Sequence, residues 1–331
     1  MNTRPVDLDV ADLDHPHGET SIARGLQFDA AAAASEIERF VQREIARLDK
    51  RGVVLGLSGG LDSSACAYLC VRALGRERVL TFILPERDSN PQNMHDAELV
   101  AQTLGLRATT IEVTSILTQL GVYDLVSEER AGNRRAIEAG IEWIRRVTRQ
   151  PSAFSEGLAL LYNVNSNRWG RLAHKFLWRP AGRIHAFAIT KVRLRMMLLY
   201  YHAMLNDCLV IGTTDKSEWS IGFFDKYGDG ANDVTLLRHL YKTQIRELAR
   251  YLGVPPQIVN KPSSGDLAAG LPNEAAIGLT YEQLDAILWG LERGLGGTAI
   301  AAQAGVTSAE IGAVRKAMRA ARVREELPSH L

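Results

Sequence analysis

The residues best suited to chemistry lie close together in Ser58-Gly59-Gly60-Leu61-Asp62-Ser63. An apolar run opening with Val53-Val54 precedes them, and Ser64-Ala65-Cys66-Ala67-Tyr68-Leu69-Cys70-Val71 follows as a helical run. A buried strand, a glycine turn and a helix start together form an anion site. Glycine lets the backbone approach a ligand, and the first N–H groups of the helix have no partner of their own. No Gly-Lys-Ser/Thr follows, and the spacing is not GxGxxG, so the loop is neither a Walker A loop nor a dinucleotide fingerprint. A carboxylate, Asp62, stands where a Walker loop carries lysine. A carboxylate beside phosphates is unfavourable without a cation between them, so the pattern implies Mg²⁺.

The elements that must position this loop read as an α/β fold. Asp29 can cap a helix running to about Lys50, with Ile37, Phe40, Val41, Ile45 and Leu48 on one face. Val79–Leu84 is a second strand stopped by Pro85, a helix over 94–104 ends at Gly105, and Ala108–Val113 is a third strand. Strands alternating with helices give a doubly wound parallel sheet, which binds ligands at the carboxyl ends of its strands. A long helix over 191–206 leads to a fourth strand, Leu209–Gly212, and then to Thr213 and Glu218. The loop Gly222–Asp233 carries three glycines among charged residues, which suits a ligand clamp. Lys242 opens another helix, Lys261–Leu267 is a polar loop, and helices are expected at about 281–293, 298–304 and 308–326.

The 331 residues can form one large α/β domain, here 26–331, behind an extended arm at 1–25. A net charge of +1 argues neither for nucleic acid nor for an anionic membrane. No apolar run approaches the length of a membrane span, and the acidic N-terminus lacks a signal-peptide core. Of the three cysteines, Cys66, Cys70 and Cys208, the first two fall one turn apart on a helix and read as small buried hydrophobes; a reducing cytoplasm fits. Residues 127–186 break the rhythm: Arg130 to Arg183 holds eleven basic residues against three acidic ones, with tryptophans between. The favoured reading is an inserted helical hairpin rather than an RNA-binding surface, because no RNA-binding motif accompanies it. Residues 299–307 have helix-turn-helix spacing, which is also that of a plain helical hairpin.

Several loops together resemble one family, the ammonia-dependent NAD synthetases, a branch of the PP-loop ATP pyrophosphatases. The likeness rests on Gly56-Leu57-Ser58-Gly59-Gly60-Leu61-Asp62-Ser63, Arg193-Leu194-Arg195-Met196, Gly212-Thr213 with Glu218, Lys226-Tyr227-Gly228-Asp229-Gly230 with Asp233, Lys242, and Lys261-Pro262-Ser263-Ser264. The Lys-Tyr-Gly-Asp-Gly loop is the most specific of these.

The resemblance implies that Gly56 through Ser63 bind the ATP phosphates, with Thr213, Lys242 and Ser264 completing the ATP site. It implies Mg²⁺ on Asp62 and Glu218, and catalytic work for Asp62, Glu218 and Lys242. Arg193, Lys226 and Asp233 would bind deamido-NAD at a homodimer interface. The implied reaction is amidation of deamido-NAD to NAD with ammonia through an acyl-adenylate, releasing AMP and pyrophosphate. Three departures fall on the acyl-substrate side. Ile189 stands where the family usually has Asn, the tail Ala321-Arg322-Val323-Arg324 lacks a His-Lys-Arg group, and the insert is long. The competing readings are an amide synthetase for another small carboxylate, an RNA-modifying PP-loop enzyme, and a non-catalytic regulator. The second lacks its Cys-x-x-Cys, and the intact Asp62, Glu218 and Lys242 oppose the third.

Overall fold

Strand β1 (Gly52–Gly56) forms the centre of the molecule. Its side chains alternate between two apolar layers. Val53 and Leu55 face one cluster and Val54 the other, all three 1% exposed or less. Burial on both faces is what a parallel sheet demands of a central strand, and each such side chain contributes roughly 1.5–3 kcal/mol. The computed structural model describes residues 21–126, 168–264 and 272–325, together with 142 and 152; side chains are described from residue 182 onward in the second segment and up to 322 in the third.

β2 (Val79–Ile83) and β3 (Ala108–Thr110) lie to one side of β1, and β4 (Cys208–Gly212) and β5 (Val234–Thr235) to the other. The order is β3-β2-β1-β4-β5, and every pairing is parallel. The expected doubly wound sheet is therefore present, with β5 as a short strand that its sequence does not announce. On one face pack α2 (Ala30–Arg47), α3 (Leu61–Leu74) and α8 (Lys242–Leu252), through residues such as Ile37, Leu69 and Leu248. Asp29 caps α2, accepting from the N–H groups of Ala31 and Ala32. On the other face lies α6 (Arg168–Asn206), with Met196, Leu199 and Ala203 against Val54 and Val210. α4 (Pro91–Leu104) follows β2, capped by Asn90 and ended by Gly105 in the left-handed region. Between β3 and α6 lies the short α5 (Thr114–Gln119).

Two expectations change. The helix expected to open at Lys191 begins at Arg168, so it takes in the end of the 127–186 segment. Most of 127–167, and with it the inserted hairpin, lies outside the described residues. The arm expected over 1–25 does not extend to Gly25. Ile22–Gly25 form a capped helical turn, α1, whose Ile22 is 4% exposed in the C-terminal cluster; residues 1–20 lie outside the described residues. Three further short helices follow: α7 (Lys216–Ile221), α9 (Pro256–Val259) and α10 (Asn273–Ile277). The three C-terminal helices appear as expected: α11 (Tyr281–Glu292), α12 (Gly297–Ala304) and α13 (Ser308–Glu325). They form a second apolar cluster through Leu284, Ile287, Ile300 and Val314. Among the described residues no helix is long and apolar enough to cross a membrane. Cys66 and Cys70 are fully buried, and burial pushes the Cys70 thiol up to about 12.

Candidate active site

The loop from β1 to α3 turns at Gly59, whose φ is +71°. A Cβ there would stand 2.0 Å from the Asn93 carbonyl oxygen, so both the conformation and the close approach require glycine. Ser63 stiffens the turn from below. Its hydroxyl accepts from Ser58 N–H at 3.2 Å and lies 2.9 Å from the Ser58 hydroxyl, and the residue is only 3% exposed. Gly60 begins α3 without a side-chain cap, so no side chain caps the first N–H groups of the helix. This helix start borders a cavity of about 580 Å³, which Gly56, Leu57, Ser58, Gly60, Leu61 and Asp62 line on one side. Thr213, Glu218 and Ser264 also line it. Gly59 and Ser63 do not: one packs on α4 and the other supports the loop.

Beneath this end of the cavity lies an ammonium surrounded by carboxylates. Lys242 Nζ is 2.8 Å from Asp62 Oδ2, 2.8 Å from Asp215 Oδ2 and 2.9 Å from Glu218 Oε1. Its side chain is 0% exposed. Burial alone would lower the Lys242 ammonium, but the field of Asp215, Asp62 and Glu218 overrides it and holds the group well above the usual lysine range. Burial drives two of the carboxylates, Asp215 and Glu218, the other way. Asp215 is pushed up to about 6, with Lys242 opposing the rise. Glu218 is pushed up to about 8 by burial and by the Asp215 charge. Tyr281 donates to Glu218 Oε1 at 3.2 Å, and Asn273 Nδ2 bonds the Tyr281 hydroxyl at 3.1 Å.

Lys242 was expected within the ATP site, yet it lies under the cavity wall. Its ammonium donates to Asp62 and Glu218 and forms an ion pair with Asp215, so it touches the cavity only by way of Asp62 and Glu218, which line it. Asp62 Oδ1 is buried and has no hydrogen-bond partner among the described residues. Glu218 lines the cavity beside it. An orphaned carboxylate oxygen next to a second carboxylate fits Mg²⁺, which takes one or two protein carboxylates and completes its shell with water and phosphate oxygens.

Helix starts set this geometry. Asp215 caps α7, accepting from Glu218 N–H at 2.7 Å. Asp285 of α11 ties two helices together: it accepts from the Ser217 hydroxyl at 2.5 Å and from Thr243 N–H at 2.9 Å, while Lys242 N–H donates to Ser217 Oγ. Lys261 reaches from the opposite loop to Asn93 Oδ1 at 2.5 Å and Asp96 Oδ2 at 2.6 Å.

The proposed acyl-substrate residues do not line the cavity. Arg193 forms a two-pronged pair with Asp225, at 2.8 and 3.0 Å, and is 49% exposed. Asp233 accepts from Val210 N–H at 2.8 Å and from the Tyr200 hydroxyl at 3.3 Å, at the sheet edge. Lys226 is half-buried in the loop between them. Asp225 and Asp229, which do line the cavity, are the nearest link to this trio. Burial lifts Asp229 to about 7. Sequence reasoning passed over Asp215, Asn273, Tyr281, Asp285 and Lys261 as site residues. Asp215 carried a local helix-cap pattern, with Glu218 three residues on, and Lys261 stood in the Lys-Pro-Ser-Ser motif; Asn273, Tyr281 and Asp285 stood in none of the motifs.

The NAD synthase family model matches residues 33–139 and 179–328. The NH(3)-dependent NAD(+) synthetase of Methanococcus aeolicus is 35% identical over 259 residues, 78% of this chain and 82% of its own. That of Mesorhizobium japonicum is 35% identical over 309 residues, 88% of this chain and 93% of its own. The structure of the NH3-dependent NAD synthetase from Campylobacter jejuni shares the fold, with a TM-score of 0.63 at 24% identity over 92% of this chain and 100% of that one. With the family model spanning both halves of the sheet and relatives this similar over most of their length, the chain belongs to the NAD synthase family.

Proposed function

We propose that the chain is a ligase that amidates deamido-NAD to NAD, using ATP and free ammonia. The observation that carries the reading is the convergence of an uncapped helix start, Asp62 and Glu218 at one end of a cavity of about 580 Å³. In the first half-reaction the nicotinate carboxylate attacks the α-phosphorus of ATP, and pyrophosphate leaves. In the second, ammonia attacks the acyl carbon, AMP leaves with the bonding electron pair, and the ammonium proton passes to solvent or a nearby carboxylate.

The N–H groups of the glycine loop bind the phosphates, and each such donor aimed at developing charge is typically worth about 10²–10³ in rate. Asp62 and Glu218 would hold Mg²⁺, which when bound supplies charge neutralisation at the phosphates. Lys242 keeps these two carboxylates in register, and Asp285 holds the helix starts that carry Glu218 and Lys242. Arg193, Lys226 and Asp233 would meet the dinucleotide from outside the cavity.

A homodimer belongs to the same reading. Met197, Tyr201, Met204 and Leu205 form an apolar strip on one face of α6, between 52% and 75% exposed. Sedimentation at micromolar concentration with ligand present should show twice the chain mass. A reducing cytoplasm suits the three unpaired cysteines.

Ile189 lines the cavity where the family usually has Asn, and this favours one second reading: the same chemistry on a different small carboxylate. A pyrophosphate-release assay with ammonia, testing deamido-NAD against a panel of carboxylates, separates the two. Turnover with deamido-NAD is expected. Fast turnover on another acid with none on deamido-NAD overturns the first reading.

A further inference from the structure

A second buried ammonium lies behind the other wall of the cavity. Lys191 is 1% exposed and bonds Glu86 Oε1 at 2.9 Å and Asp88 Oδ2 at 2.7 Å. The Glu86 side chain is 0% exposed, and its other oxygen accepts from the Tyr123 hydroxyl at 2.6 Å. None of these four residues lines the cavity, but their neighbours do. Leu84, Pro85, Ser89 and Asn90 line it from the loop after β2, and Ile189 and Val192 line it from α6. Arg195 adds a second tie, donating from Nε to Leu84 O at 2.8 Å.

The loop so held is the direct neighbour of the phosphate loop. Gly56 pairs with Phe82 in register, and Leu57 N–H donates to Phe82 O at 2.8 Å. A nucleotide with its phosphates on Gly59–Asp62 must lay its remaining length across this wall or across α6. A buried ion pair is weak evidence for stability, since apolar side chains of similar volume often do as well. A charged cluster that joins two walls of a cavity, and touches nothing inside it, is better explained by orientation.

We propose that Lys191, through Glu86 and Asp88, is a positioning residue that locks the 84–90 loop to α6 and so sets the nucleotide-binding width of the cavity. The proposal rests on the ATP-binding part of the function above and not on the identity of the acyl substrate.

The test measures the Kd of a non-hydrolysable ATP analogue by calorimetry, the KM for ATP and kcat from pyrophosphate release, and the melting temperature. The variants are Lys191→Met, Glu86→Gln, the two combined, and Asp88→Asn. Lys191→Met should raise Kd and KM for ATP about tenfold, with kcat within about threefold, as expected for loss of alignment without loss of reacting groups. The double variant removes the unpaired buried charge, so its melting temperature should recover while its Kd stays raised. Recovery of both would mean that the cluster only supports the fold, and would overturn the proposal. Should Lys191→Met not fold, Asp88→Asn decides: Asp88 is 22% exposed, and its loss should raise Kd with little change in melting temperature. An unchanged Kd there overturns the proposal as well. A wild-type protein that binds the analogue but ignores deamido-NAD would sink the substrate assignment and leave this comparison intact.

Discussion

Two buried lysines sit behind opposite walls of one cavity, and their partners distinguish them. Around Lys242, two of the three carboxylates also line the cavity, and one of these, Asp62, keeps an unpartnered oxygen. Around Lys191, both carboxylates stay out of the cavity, and Glu86 uses its second oxygen on Tyr123. A buried cation among carboxylates is therefore not in itself a mark of chemistry. What separates the two clusters is whether a carboxylate that lines the cavity keeps an acceptor without a partner.

The largest effect expected from this contrast is at Lys242. Lys242→Met leaves three carboxylates crowded without their cation, and should cost about 3–5 kcal/mol of stability. Turnover should fall by at least about 10³, since both Asp62 and Glu218 lose their register. Thermal melts and pyrophosphate release measure the two. If Lys242→Met and Lys191→Met depress kcat alike, the distinction between the clusters fails.

Asp62→Asn sharpens the contrast without emptying the cluster. Asp215 and Glu218 still neutralise Lys242, so the fold should persist, while kcat drops about 10²–10³. Near wild-type turnover at saturating Mg²⁺ would remove Asp62 from the metal site.

Next come the residues outside the cavity. Arg193→Ala and Lys226→Ala should each raise KM for deamido-NAD about ten- to a hundredfold, the loss of a charge-assisted hydrogen bond of roughly 1.5–3 kcal/mol. KM for ATP should barely move, which steady-state kinetics with each substrate varied in turn will read. The pattern is the reverse of that expected for Lys191.

The smallest effect is one of pH. Burial lifts Asp285 to about 6, so the folded protein binds a proton there that the unfolded chain has already released. That stabilisation is complete below the ordinary carboxylate range and disappears as pH rises through about 6. Asp285→Asn carries no such dependence. Its stability relative to wild type should improve between pH 4 and pH 8 by up to about 3 kcal/mol. Denaturant melts across that range provide the check, and a constant gap would mean that Asp285 is not buried as an acid.

β1, β2 and β4 were legible because they are short apolar runs with glycine or proline at or near their ends. Val53–Gly56 and Val79–Ile83 are near-continuous apolar runs, as strands buried on both faces require. The phosphate end of the site was legible for a related reason: its residues are consecutive, so their spacing is itself the geometry. Asp285 and Asn273 were not, because they reach Ser217 and Tyr281 through tertiary folding and carry no local signature. The start of α6 was not legible because Pro180 and Gly182, residues that disfavour a helix interior, lie within it, and the helix runs through both. β5 has only two residues, too few for any periodicity to register.

The contact between Ile22 N–H and Gln303 Oε1 spans 281 residues. During synthesis at about 5–20 residues per second, a segment near Ile22 waits on the order of tens of seconds for that partner to be made. Trp289, which lies where a Cβ on Gly25 would stand, also arrives late. Throughout that interval the apolar face of α1 has no permanent seat, although the β1 to β4 sheet can already assemble behind it. The seating of α1 therefore dates the arrival of the C-terminal helices: a ribosome stalled before them would leave the β1 to β4 sheet formed, the Lys242 cluster without its Asp285 tie, and this first turn open to a protease.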